Sequence, residues 1–345
     1  MIGTIFLIIF ISIIAFALYR ISISYTPKII FNPEGKISTI ISKMTRLKQP
    51  YKPTPFLFNR HLQTIWGLRL RGTTKYKPTR EDVHFQDGGQ VTIDYFESPN
   101  LPAEAPLVFI VHTLGGGTRE SCTNYMAYYF MKKNYRVVIA SCRGCNGSKI
   151  TSKRLYNGYQ TDDLHTIINQ VSQKYINSKY KFLIGFSLGS MIAAQYGVDY
   201  DDINGICCIS HTLECENGLK LLETPICAKL YLAPMLKSLH HVISKSNYYE
   251  GEQKEKAMKC KSIQEYDDII TSKNLGLKSH KEYYELLDLK KKIDIVKVPM
   301  LFILAEDDPF TSIKFLPKDE IQKSNNVAFV ITKEGGHVGF CQGFD

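Results

Sequence analysis

A serine flanked by glycines, Gly185-Phe186-Ser187-Leu188-Gly189, stands between a strand-like apolar run, Phe182-Leu183-Ile184, and a helix-like run from Met191 to Tyr196. That context describes a nucleophile elbow, a sharp strand-to-helix turn that exposes the serine hydroxyl. Glycines suit the flanks because such a turn brings backbone segments too close for a Cβ. A serine nucleophile needs a base, and the base needs an orienting carboxylate. In α/β folds built around such an elbow the chain order is Ser, then Asp or Glu, then His. Here Ser187 is followed by Glu306-Asp307-Asp308-Pro309, after the apolar run Leu301–Leu304, and by Gly335-Gly336-His337, after Val327–Ile331. Both groups follow strand-like runs, and open α/β sheets build their sites beyond the carboxyl ends of strands. A residue before proline is held extended, which projects its side chain. Asp308 is therefore the expected partner of His337, with Asp307 the alternative. An oxyanion hole needs backbone N–H groups aimed at the developing charge. One is expected from Leu188. The other is expected from the loop His112-Thr113-Leu114-Gly115-Gly116-Gly117, with Leu114 the first choice and Thr113 the second. His112 reads as a structural histidine, and His211, His240 and His241 as surface or lid residues. The chemistry is acyl transfer through an acyl-enzyme, with no metal or organic cofactor required.

The elements that must position these groups are legible as alternating runs. Thr92–Phe96, Pro106–Val111, Arg136–Ser141, Lys181–Ile184, Ile203–Ile209, Met300–Leu304 and Val327–Ile331 read as strands. Tyr125–Met131 and Asp162–Tyr175 read as helices, the second from the spacing of Leu164, Ile167, Ile168 and Val171. Near-continuous apolar strands separated by helices predict a mostly parallel central sheet with helices on both faces. Between Thr212 and Lys292 the pattern changes. Ile226, Leu230, Leu236, Leu239 and Ile243 fall at helical spacing, broken by Pro225 and Pro234. Residues 212–292 read as a helical lid insertion.

Met1 to Tyr19 carries no charged side chain. At ~1.5 Å per residue this run spans about 28 Å, close to the thickness of a bilayer core. It reads as a transmembrane helix, and the missing basic n-region argues against a cleaved signal peptide. Arg20, Lys28, Lys36 and Lys43 follow it with only Glu34 opposing, a bias toward a cytoplasmic C-terminal domain. The expected organisation is an anchor at 1–19, a linker at 20–55 ending in Pro50, Pro53 and Pro55, and a catalytic domain at 56–345. That describes a single-pass membrane protein, of an endomembrane such as the endoplasmic reticulum. The net charge is +10, with no arginine-rich arm and no nucleic-acid module. That charge reads first as an ordinary solvated basic surface and second as attraction to an anionic membrane surface, and no nucleic-acid partner is expected. Nine cysteines, an odd number, do not make a complete disulfide framework, and Cys142-x-x-Cys145 has no second pair at zinc spacing.

Several motifs resemble one family. Asn59-Arg60-His61-Leu62-Gln63-Thr64-Ile65, Arg143-Gly144-Cys145 with Arg154-Leu155-Tyr156-Asn157, Asp162-Asp163-Leu164, Asp307-Asp308-Pro309-Phe310 and Gly335-Gly336-His337-Val338-Gly339-Phe340 are similar to the α/β-hydrolase group of YheT/ABHD type. The resemblance runs from about Phe56 onward. It implies the α/β-hydrolase fold and a Ser187, Asp308, His337 triad. It implies a serine esterase or lipase acting on acylglycerols or phospholipids beside a membrane. Arg60, His61 and Arg143 are implied to brace loops near the site. Two features depart from the family pattern: His112-Thr113 stands where the family has His-Gly, and relatives carry a further helical segment after the histidine motif. The His-x-x-x-x-Asp signature of some acyltransferase relatives is absent, since Gln342 stands five positions after His337. An acyltransferase or thioesterase on the same triad, or a non-catalytic lipid-binding protein keeping the fold, are the alternative readings.

Overall fold

The computed structural model describes residues 2–343. Its strands are β1 (Lys28–Phe31), β2 (Thr79–His84), β3 (Gln90–Phe96), β4 (Leu107–Val111), β5 (Arg136–Ala140), β6 (Lys181–Phe186), β7 (Gly205–Ile209), β8 (Met300–Ala305) and β9 (Val327–Thr332). They form one sheet of order β1-β9-β8-β7-β6-β4-β5-β3-β2. From β5 through β9 every neighbouring pair is parallel. The edges are antiparallel: β1 on β9, β3 on β5 and β2 on β3.

The parallel strands read as they pack. Every residue of β4, β5 and β9 is buried, as expected of strands covered on both faces. Phe109 and Val111 of β4 face one core with Leu164, Ile168 and Tyr196. Val108 and Ile110 face the other with Ala127, Met131 and Phe186. The helices are α4 (Ser121–Lys132) on the second side, and α5 (Asp162–Lys174) and α6 (Leu188–Asp199) on the first. Register aligns the strand ends. Phe186 pairs with Ile209, Ile209 with Ile303, and Ala305 with Thr332. The loops leaving β6, β7, β8 and β9 therefore start from one edge.

Between β7 and β8 lies a chain of helices, among them Cys215–Leu221, Ala233–Lys245, Gly251–Lys259 and His280–Leu287. They close on a core of their own, built from Leu236, Leu239, Ile243, Tyr249, Ala257 and Ile263.

The N-terminal region differs from its expectation. Helix α1 (Ile2–Ser22) runs three residues past Tyr19. Its stretch Thr4–Ser22 has a mean hydropathy of 2.4 and is long enough to cross a bilayer. Residues 20–55 are not a linker. Arg20 is buried and paired with Glu334 at 2.9 Å. β1 registers Lys28–Phe31 against Ile331–Ala328. Helix α2 (Ile37–Lys43) sets Ile37 and Ile41 against Ala328. The catalytic domain thus begins well before residue 56.

Candidate active site

Ser187 stands between the end of β6 and the start of α6, with φ 52° and ψ −115°. A Cβ on Gly185 would stand 2.2 Å from the Gly189 carbonyl oxygen, and one on Gly189 2.3 Å from that of Val111. Neither position tolerates a side chain while the turn is this tight. The turn is held by hydrogen bonds. Ser187 N–H donates to the Ile209 carbonyl at 2.9 Å, and its carbonyl accepts from Ser190 N–H at 2.9 Å and Ser190 Oγ at 2.5 Å.

Ser187 Oγ lies 2.8 Å from His337 Nε2, and His337 Nδ1 lies 2.8 Å from Asp308 Oδ2. The other Asp308 oxygen accepts N–H bonds from Phe310 at 2.8 Å and Thr311 at 3.1 Å. An ionised carboxylate only accepts, so Nδ1 carries the imidazole proton and Nε2 is left to accept from the serine hydroxyl. Asp308 and His337 are buried, which keeps water from competing for these bonds. Asp307 faces elsewhere. Its Oδ1 accepts the Gly336 N–H at 2.9 Å, and burial pushes its carboxyl up to about 6. It shapes the histidine loop and does not touch the ring.

Helix α3 (Arg60–Ile65) supports that loop from behind. His337 N–H donates to Thr64 Oγ1 at 2.9 Å, and Thr64 Oγ1 donates to the Arg60 carbonyl at 2.7 Å. Gln63 Oε1 accepts Cys341 N–H at 3.0 Å. Asn59 caps the helix, its Oδ1 accepting from His61 and Leu62 N–H. The close approach requires glycine at Gly336, where φ is 60° and a Cβ would meet the Arg60 carbonyl at 2.5 Å. His61 Nδ1 meets Tyr231 Oη at 2.9 Å, tying α3 to the helical insertion. Arg143 is buried between Asp87 and Asp163, each at 2.6 Å, and fixes the loop after β5.

The wall opposite the histidine is the loop after β4. Thr113 N–H points to Glu120 Oε2 at 3.3 Å, and its hydroxyl bonds the same carboxylate. Thr113 is thereby removed as an oxyanion donor. Leu114 and Leu188 N–H have no protein acceptor among the described residues, and both side chains line the cavity at Ser187. Gly115 N–H donates to Tyr156 Oη at 3.1 Å. His112 is fully buried. Its Nε2 accepts Cys142 N–H at 3.0 Å, so Nδ1–H donates to the Thr113 carbonyl at 2.6 Å. Burial holds this ring neutral, and it braces the loop.

His211 is not at the surface or on the insertion. It is buried behind α6, with Nδ1 3.2 Å from Ser190 Oγ and its ring edge-on to Phe302. Burial pushes it down to about 4. His240 lies on the insertion with Nε2 3.2 Å from Cys260 Sγ, and His241 is exposed there. All nine cysteines are free. Burial raises the Cys142 and Cys145 thiols, so neither is poised as a thiolate. Among the described residues no cluster of His, Cys, Asp and Glu could hold a metal ion. Glu120 and Asp267 left no sequence signal, and Tyr156 stood in a motif that did not assign it to the loop after β4. Thr64 and Gln63 stood inside a motif but could not be assigned to the histidine loop.

Two cavities meet at Ser187. An open cleft of about 640 Å³ is lined by Leu68, Arg69, Arg119, Phe310 and His337. A narrower apolar arm of about 100 Å³ runs beneath the insertion, past Leu188, Met191, Met235, Leu239 and Leu287. Asp267 stands in the wall of that arm, accepting from Tyr284 Oη at 2.8 Å and Thr271 Oγ1 at 2.6 Å.

Residues 106–344 match the family described as alpha/beta hydrolase fold. Phospholipase ABHD3 of Homo sapiens is 25% identical over 96% of this chain and 83% of its own length. A monoacylglycerol lipase of Saccharomyces cerevisiae is 27% identical over 79% of this chain and 64% of its own. Among solved structures, the Pyrococcus furiosus esterase Pf2001 superposes with a TM-score of 0.52 at 14% identity, covering 76% of this chain and 84% of that one. That last likeness speaks for the fold.

Proposed function

We propose that this carboxylic ester hydrolase, a member of the alpha/beta hydrolase fold family in its ABHD/YheT type, cleaves lipid esters at a bilayer surface with Ser187, His337 and Asp308 as its triad. The observation that carries the reading is the bond chain from Ser187 Oγ to His337 Nε2 and from Nδ1 to Asp308 Oδ2, each at 2.8 Å. His337 takes the hydroxyl proton as Ser187 attacks the acyl carbonyl. Asp308 holds the Nδ1–H tautomer and stabilises the imidazolium. Leu188 and Leu114 N–H receive the negative oxygen. The tetrahedral adduct collapses to an acyl-enzyme as His337 returns the proton to the leaving alcohol. Water, deprotonated by the same histidine, then releases the carboxylic acid and restores Ser187.

The substrate class follows from the cavities and the named relatives. The apolar arm suits an acyl chain, and the wider cleft suits the glycerol and head group. The helical insertion acts as the lid over that arm. Helix α1 is the single-pass anchor that keeps the cleft beside its substrate. A fluorophosphonate probe is expected to label the protein and to spare Ser187→Ala, with a lipid-class panel then ranking substrates. Equal labelling of both proteins would remove Ser187 from the mechanism. Lipid binding without any labelling would favour a non-catalytic lipid-binding role instead.

A further inference from the structure

Residues 35–80 hold eleven Lys and Arg and no Asp or Glu. The chain's net charge of +10 is carried by this one stretch, which leaves the remainder at −1. Of these cations Arg80 is neutralised, by Asp94 at 2.7 Å. The same stretch exposes large apolar side chains: Phe56 at 49%, Phe58 at 48% and Leu70 at 63%. Lone exposed apolar residues are ordinary, but aromatic rings grouped within undiluted positive charge are not. An anionic bilayer surface takes both, with rings at the acyl boundary and cations among the head groups.

The anchor fixes the depth of this patch. Phe16 of α1 packs edge-on to Phe58 with ring centres 5.5 Å apart. Phe16 stands four residues before Arg20, about 6 Å along the helix axis. With α1 in a bilayer, Phe58 lies level with the last apolar turn and not in bulk water. Phe56 packs edge-on to Trp66 at 5.6 Å. Trp66 opens the helical run that ends at Leu70. Arg60, Arg69 and Arg71 are exposed along the same segment.

We infer that Phe56–Leu70 is a second membrane contact, an in-plane docking surface for the anionic head-group layer at the C-terminal end of α1. It rests on the anchor reading above. Leu68 and Arg69 of this segment also line the cleft that holds Ser187 and His337. The docking surface thus seats the mouth of the cleft on the leaflet, and a lipid ester enters without crossing water.

Trp66 is the only tryptophan of the chain and reports its own depth. The full chain is reconstituted in phosphatidylcholine vesicles, with and without phosphatidylserine, carrying bromine at shallow or deep acyl positions. Shallow bromine is expected to quench Trp66, and more strongly with phosphatidylserine present. Phe58→Glu with Leu70→Glu is expected to relieve the quenching and lower turnover of a vesicle-borne ester by about 10-fold or more, while hydrolysis of a water-soluble short-chain ester is unchanged. Alkaline carbonate separates the two readings, because it strips surface-bound protein and leaves spanning helices in place. Protein retained in carbonate but quenched by neither brominated lipid overturns the docking surface and leaves the anchor standing. Protein released by carbonate overturns both. Trp66 shielded from brominated lipid and from aqueous acrylamide alike assigns the patch to a protein partner or a second copy, and also overturns the docking surface.

Discussion

At the residue, Ser187 carries a backbone conformation that costs a side-chain-bearing residue about 1–3 kcal/mol. The structure holds it there with the Ile209 carbonyl on one side and Ser190 on the other, and it clears the flanks at Gly185 and Gly189. The two adjacent aspartates then have opposite assignments that one pair of variants separates. Asp308→Asn is expected to lower kcat by up to ~10⁴ through the wrong imidazole tautomer. Asp307→Asn keeps an oxygen for Gly336 N–H and is expected to retain most activity. Its effect falls on stability. The folded Asp307 carboxyl titrates at about 6 against an ordinary 3.8. Between those values the folded state holds a proton that the unfolded state has lost, so this group's contribution falls as pH rises through about 6. Asp307→Asn should match the parent below about pH 4 and exceed it above about pH 6, by on the order of 1–2 kcal/mol after discounting its solvent contact. Thermal melts across that range check this, and a pH-independent difference would refute it. That Ser187, Asp308 and His337 meet could be expected from sequence because an elbow is local and its partners have a fixed chain order. Thr113 and His211 could not be placed, because their directions depend on Glu120 and Phe302 across the fold.

At the element, the same distinction holds. β4 through β9 were legible because burial on both faces makes them near-continuous apolar runs. β2 was not, since Thr79–His84 is a polar edge strand with one buried residue. Helix α3 is six residues long and shows no amphipathic period, yet Thr64 and Gln63 hold the backbone on both sides of the histidine. Its role became readable only when a segment more than 270 residues away packed on it. The helical insertion was legible as a block, from its spacing and its place after a strand. What it covers required the cavities. Met235 stands where the open cleft meets the apolar arm. Met235→Trp is expected to close the arm while leaving Ser187 accessible from the cleft. Long-chain esters should lose about 10- to 100-fold in kcat/KM, the scale on which apolar pockets discriminate acyl size. A short-chain ester should be hydrolysed nearly as before. An equal loss for both, with an unchanged melting temperature, would mean that the arm does not receive the acyl chain.

At the scale of the whole molecule, helix α1 and the loop that carries His337 form one body. Arg20, in the last turn of α1, pairs with Glu334 through its two terminal guanidinium nitrogens, at 3.1 and 2.9 Å. Tyr25 adds a third bond to that carboxylate at 3.0 Å. Glu334 lies three residues before His337, so helix α1 is keyed to the histidine loop. This arrangement was hidden in the sequence. Residues 20–55 contact partners about 300 positions away, and no local periodicity announces a four-residue strand on the far edge of a sheet. A boundary drawn at residue 56 would remove β1 and uncover the β9 edge, an open template for aggregation. It would also strip Ile37 and Ile41 from Ala328, and the Tyr51 hydroxyl from the Cys341 carbonyl it bonds at 2.9 Å. Burying Ile37 and Ile41 alone is worth about 3–6 kcal/mol, comparable with the net stability of a domain. A chain of residues 56–345 is therefore expected to aggregate and to show no esterase activity. A chain of residues 20–345 keeps every one of those contacts. It is expected to elute as folded protein and to hydrolyse a water-soluble short-chain ester at the rate of the full chain. Size-exclusion profiles and turnover of that ester decide the matter, and equal stability of the two truncated chains would show that residues 20–55 are the linker they resemble.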